Sequence, residues 1–361
     1  MAGKLSIRGG VSGLAMRRGL CLAVPGFLVS LGMAGAVRAN LTITPTFDSS
    51  FTGAANAAYY EGQVNAAISS IESYIANPVT VNITFSDMSS GLGQSNTYVS
   101  TISYSQYLSN LKNNQTRSSY DNTAIASLPS SDPVPGNTSG NVETTLPLLR
   151  ALGYVANPPT GSPDSTISLN LGLMMNPSNS SSQNASLYDA QAVAAHEIDE
   201  VLGIGGTGSQ LGSGNLTTGP VGPLDLFRYS ADGVRSYSTS TTIAPYFSIN
   251  GGATDLVHFN QYGNGSDYSD WGNGVTPAEA QPNNPPQVQD AFGDPGVVGP
   301  NLGRNEMIAL DVVGWNLTSA GTALETPEAS TLALFGVALV GLVLLPRKRR
   351  PSAPAERLDN D

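Results

Sequence analysis

The stretch from Leu187 to Gly206, LYDAQAVAAHEIDEVLGIGG, constrains this chain more than any other. Ala192, Val193, Ala195, Ile198, Val201 and Leu202 recur at helical spacing, and Gly203, Gly205 and Gly206 supply a stop. Residues four apart on a helix lie one above the other on the same face. His196 and Glu200 can therefore share a ligand, with Glu197 beside them. Glu197, Asp199 and Glu200 also crowd three carboxylates around one imidazole, and such a group repels itself unless a cation or solvent relieves it.

The H-E-x-x-E string formed by His196, Glu197 and Glu200 resembles the H-E-x-x-H-x-x-G active-site helix of zincin metallopeptidases. In that group two histidines bind zinc and the glutamate after the first acts as general base. The resemblance implies a zinc-dependent metalloendopeptidase in which Glu197 is catalytic and His196 and Glu200 are metal ligands. Three departures stand out. Glu200 occupies the place of the second histidine, Gly206 that of the third histidine of metzincins, and no methionine occurs between Met175 and Met307. The chain has two histidines, so two residues compete as third ligand. His258, in LVHF, would restore a set of two histidines and one glutamate, whereas Asp225, in PLDLF, would give a more oxygen-rich and less zinc-selective site.

Charge narrows the partners. Between Asn40 and Thr326 there are six basic residues against 23 acidic ones, a net of −17, which argues against nucleic acid and suits calcium or another cation. With 40 Gly, 24 Pro and 12% charged residues in 361, the composition is that of a loop-rich exported domain. The single cysteine, Cys21, lies in the N-terminal apolar run, so the body has no disulfide, thiol nucleophile or cysteine metal site.

Residues 1–39 read as a secretory signal peptide: basic residues through Arg17 and Arg18, an uncharged stretch, and small residues before Asn40. Leu41 to Phe47 and Val79 to Phe85 alternate as strands around a helical pattern from Gly53 to Ala76, a βαβ-like start shared with zincin upper domains. A strand running into a helix is expected over Tyr98 to Leu111, a helix over Thr144 to Leu152, and a strand over Ser165 to Met175. A strand and loop leading into H-E-x-x-E is the order of a zincin. Beyond Gly206, Asp232-Gly233 and Asn250-Gly251 mark hairpins, Asp267 and Asp270 sit in a Gly- and Asn-rich stretch that reads as a surface turn or a calcium loop, and Arg304 to Trp315 reads as the closing helix.

At the C-terminus, TPEAS at 326–330, 18 uncharged residues from Ala329 to Pro346 and the RKRR of 347–350 together resemble a PEP-CTERM sorting signal. This implies exosortase-type sorting machinery as a partner and a membrane-spanning helix with its basic end in the cytoplasm. Pro-Glu-Ala replaces the usual Pro-Glu-Pro, and a tail continues over 351–361. The expected protein is thus exported to the cell envelope or surface. It comprises a signal peptide (1–39), an α+β body with a zincin-like mixed sheet and hairpin-rich C-terminal part (40–318), a linker (319–328) and a transmembrane sorting segment (329–350). Its expected activity is metal-dependent hydrolysis of protein or peptide substrates. The alternative is a non-catalytic extracellular matrix or adhesion protein on a degenerate fold of the same kind.

Overall fold

The alternating run LTITPTF forms strand β1 (Thr42–Phe47); a short turn α1 (Ser49–Thr52) leads into helix α2 (Ala57–Tyr74). The computed structural model describes residues 40–113, 117–135, 137–175, 184–212, 218–262, 266–272, 286–296, 298–299 and 301–326. Val64, Ala67, Ile68 and Ile71 form the buried stripe of α2, which ends before Asn77-Pro78 because the residue preceding proline is steered out of the helical region. Strand β2 (Thr80–Asp87) then returns parallel to β1, with Thr42 opposite Thr80 and Phe47 opposite Phe85.

Strands β3 (Gly93–Thr97) and β4 (Val99–Ser103) follow, then helices α3 (Tyr104–Asn113) and α4 (Ser119–Ser127). Next come strand β5 (Asn141–Thr145), helix α5 (Leu146–Ala151) and strand β6 (Ser165–Leu169). The first sheet has the order β1-β2-β6-β3: β6 runs parallel to β2, and β3 pairs antiparallel with β6 and forms an edge. Strands β4 and β5 pair separately. After helix α6 (Ala190–Leu202), strands β7 (Arg228–Ala231), β8 (Val234–Arg235), β9 (Tyr246–Phe247) and β10 (Val257–His258) build a second, antiparallel sheet in the order β10-β9-β7-β8. Helices α7 (Arg304–Val313) and α8 (Ser319–Glu325) close the described body. This is an α+β architecture with several sheets.

Helix α6 is buried along most of its length. Ile198, Val201 and Leu202 are fully enclosed in the core shared with α2, the first sheet and α7, and each such side chain contributes about 1.5–3 kcal/mol on burial. Trp315 Nε1 donates to Leu202 O at 2.8 Å, fixing the end of α7 against the end of α6.

The structure departs from the sequence reading in several segments. The strand expected over 165–175 stops at Leu169, where Asn170 and Gly172 break the alternation and Leu171–Leu173 forms a 3-10 turn. The helix expected over 144–152 is preceded by strand β5, because Thr144 and Thr145 complete the pairing with β4. Neither β3 nor α4 was anticipated. Residues 319–325, expected within a linker, form α8, tied down by Thr318 N–H to Tyr74 O (2.8 Å) and Tyr120 Oη to Glu325 O (2.9 Å). The signal peptide (1–39), the sorting segment (329–350) and the tail (351–361) lie outside the described residues. Among the described residues no helix is long and apolar enough to cross a membrane.

Helices α4, α7 and α8 bring together three buried carboxyl groups, Asp121, Asp311 and Glu325. Burial and their mutual repulsion push Asp121 and Asp311 up to about 8, and burial pushes Glu325 up to about 7. Ser118 Oγ donates to Asp311 Oδ2. Because these folded-state values lie above the unfolded ones, the associated stability is fully present only below the unfolded values, near about 4, and is lost progressively as pH rises through about 7 to 8. The expected result is a Tm that falls between pH 5 and pH 9 by roughly 5 °C, corresponding to about 2 kcal/mol. Asp311→Asn, which removes one charge at constant shape, should flatten that slope in scanning calorimetry; an undiminished slope would refute the assignment.

Candidate metal centre

Asp189 caps α6 by accepting from the N–H groups of Gln191 (2.9 Å) and Ala192 (3.2 Å), and Gly203, at φ 100°, ends it in the left-handed conformation. The helix therefore runs as its sequence pattern predicts. His196, Glu197 and Glu200 all face a cleft of about 1390 Å³, walled on one side by β3 and on the other by residues 266–270 and 286–294.

His196 is oriented by its outer nitrogen. Nδ1 lies 2.9 Å from Val288 O; a carbonyl only accepts, so Nδ1 carries a proton and Nε2 is the nitrogen turned toward the carboxylates. Nε2 stands 3.7 Å from Glu200 Oε1 and 3.4 Å from Gln289 Nε2. The same Gln289 amide donates to Asp270 Oδ1 at 2.9 Å. One ligand atom from each of His196, Glu200 and Asp270 falls within 4.8 Å of the other two.

Asp270 reaches this position through its own strand-like segment. Asn260 N–H donates to Asp270 O (2.8 Å), Trp271 N–H donates to Gln289 O (2.8 Å), and the fully buried Trp271 indole donates to Glu306 Oε1 (3.2 Å). Glu306 Oε1 also accepts from Gln289 N–H at 3.2 Å. One buried carboxylate on α7 thus registers the segment bearing Asp270 against the segment whose Val288 carbonyl holds His196.

The centre gathers several buried carboxyl groups around one imidazole. Burial pushes Asp270 up to about 8 and Asp267, beside Glu200, up to about 6. Burial opposes a charged His196, yet Glu200, Asp270 and Glu197 outweigh it and hold the imidazole well above its ordinary value. Burial likewise opposes a charged Glu200, but the imidazole and the hydroxyl of Ser95, 2.6 Å from Oε2, keep that carboxylate below the usual range. Glu197 is raised strongly, by burial and by Glu200. Its Oε2 is buried without a hydrogen-bond partner. Gly93 is what admits this carboxyl against β3, since a Cβ there would stand 2.2 Å from Glu197 Oε1.

The fold does not bring His258 or Asp225 to His196 and Glu200; the side chain it brings there is Asp270. His258 belongs to the second sheet, where pairing of β10 with β9 turns its Nε2 to Asp255 Oδ2 at 2.8 Å. Asp225 is fully buried and accepts from Ser209 Oγ (2.6 Å), Gln210 N–H (2.9 Å) and Gly222 N–H (2.8 Å), clamping the glycine-rich turn after α6. Asp267 and Asp270, which read from sequence as part of a surface turn or a calcium loop, both line the cleft, and residues 264–265 and 273–274 of that stretch lie outside the described residues. Ser95, Val288 and Gln289 carry no motif that sequence reading could have found.

The nitrogen of His196 and one carboxylate oxygen each of Glu200 and Asp270 could hold a metal ion, which would relieve the repulsion between Glu200 and Asp270. Glu197 is adjacent to the trio but outside it, and its carboxyl shares a hydrogen bond with that of Glu200. Comparisons of the chain with protein-family models, with curated proteins and with solved structures return no match.

Proposed function

We propose that this protein is an exported, metal-dependent endopeptidase with a zincin-like catalytic centre, in which His196, Glu200 and Asp270 hold the cation and Glu197 is the general base. The observation that carries the reading is the convergence of that trio in a cleft beside a buried carboxyl with one unpartnered oxygen. A bound zinc ion would polarise a substrate carbonyl and render water acidic. A bound cation would favour the carboxylate form of Glu197, which then takes the proton from the attacking water and passes it to the leaving amine. Val288 holds the imidazole in register through Nδ1, and Ser95 orients Glu200. Strand β3 is a sheet edge on the cleft wall, and an edge strand offers a row of backbone groups to an extended peptide. Export and anchoring rest on the sequence of 1–39 and 329–350, and they put the substrate outside the cytoplasm.

The expected result is one bound zinc per chain by elemental analysis, with casein hydrolysis that a chelator abolishes and zinc restores. Protein that binds no stoichiometric metal would overturn the reading and leave the matrix or adhesion alternative.

A further inference from the structure

We infer that Gln289 is a fourth protein ligand of the cation, binding through Oε1 of its side-chain amide. The inference rests on the metal centre of the peptidase reading and adds to it a neutral ligand. Gln289 is fully buried, and its backbone is pinned on both sides: its N–H donates to Glu306 Oε1 (3.2 Å) and its carbonyl accepts from Trp271 N–H (2.8 Å). From this fixed point the side chain reaches the trio. Gln289 Nε2 stands 3.4 Å from His196 Nε2 and 2.9 Å from Asp270 Oδ1, so the amide lies against two of the three side chains that would hold the ion. Gly205 leaves room for it, since a Cβ there would stand 2.1 Å from Gln289 Nε2 and 3.1 Å from Asp270 Oδ1.

The other end of the amide, Oε1, is buried without a hydrogen-bond partner, and burying an unpaired carbonyl oxygen is costly. A cation drawn to His196, Glu200 and Asp270 would meet the N–H end of the amide, which repels it. Half a turn about the terminal torsion exchanges Nε2 and Oε1 while leaving the rest of the side chain in place. That turn presents to the ion an oxygen with two lone pairs, and side-chain amide oxygens join carboxylates as ligands of hard cations. The donor set becomes one imidazole nitrogen and three oxygens. Because the amide is neutral, it adds a ligand without cancelling more of the ion's charge, which preserves the pull on a bound water.

The test measures zinc affinity of the full chain, purified in detergent, by competition with a chromophoric chelator. Gln289→Leu removes both amide atoms at similar volume, and its dissociation constant is expected to rise by at least about tenfold, the lower bound for losing even an outer-shell partner. Gln289→Glu keeps an oxygen at the end of a side chain of the same length but has no N–H, so it should bind zinc at least as tightly as wild type. A glutamine that served only to donate to Asp270 would be lost in both variants, and one that only filled the ion's place would make Gln289→Leu bind more tightly. Either result overturns the inference. A crystal structure of the zinc-loaded wild type provides a readout that needs no variant: Gln289 Oε1 is expected about 2.0–2.2 Å from zinc, and an amide beyond about 3 Å refutes the assignment. Wild-type protein without stoichiometric zinc removes the inference together with the peptidase reading. Zinc bound through Gln289 without peptide hydrolysis removes the peptidase reading and retains the ligand.

Discussion

Glu197→Gln is expected to retain stoichiometric zinc and to lose peptide hydrolysis by roughly 10² to 10⁴, the range a positioned general base contributes. Glutamine keeps the length and shape of the side chain, so the close fit against Gly93 survives while the capacity to take a proton does not. The residue lies next to the trio without belonging to it, which is why metal and rate separate in this variant. Thermal unfolding should show an unchanged or higher Tm, since a buried, strongly raised carboxyl is replaced by a neutral amide. Elemental analysis and casein hydrolysis on the same sample check both halves. Wild-type hydrolysis by Glu197→Gln would end the proposed mechanism.

Asp270→Ala is expected to abolish stoichiometric zinc, with a loss of affinity above the roughly 100-fold that removing an outer-shell partner can cost. His258→Ala should bind zinc as wild type does, because His258 is held by Asp255 on the second sheet, away from His196 and Glu200. The pair of variants decides between the two assignments of the third ligand in one titration. Zinc retained by Asp270→Ala and lost by His258→Ala would reverse the assignment made from the geometry.

Helix α6 was legible because the signals that mark it are local: the 3.6-residue recurrence of small and apolar side chains and the glycines that stop it. The same holds for β1, α2 and β2, where alternation, helical periodicity and Asn77-Pro78 each act over a few residues. The juxtaposition of His196 and Glu200 was equally legible, since four residues make one turn. Strand β3 was not. Its sequence, GQSNT, carries no apolar alternation, because an edge strand facing a cleft buries too little on either side to need one.

The third member of the site was decided by tertiary structure alone. Asp270 and His258 are both polar residues in turn-rich sequence far from Glu200, and nothing local distinguishes a carboxylate that will face the cleft from an imidazole that will face Asp255. What distinguishes them is which backbone each is hydrogen-bonded to. Trp271 is tied to Gln289 and Glu306, which delivers Asp270 to His196; Val257 and His258 are paired with Phe247 and Tyr246, which holds the imidazole on the second sheet. The sequence alone determined a helix with an imidazole and carboxylates on one face, because helical periodicity is a property of neighbouring residues. The company those groups keep was decided by pairings between segments tens of residues apart, which only the packed chain brings together.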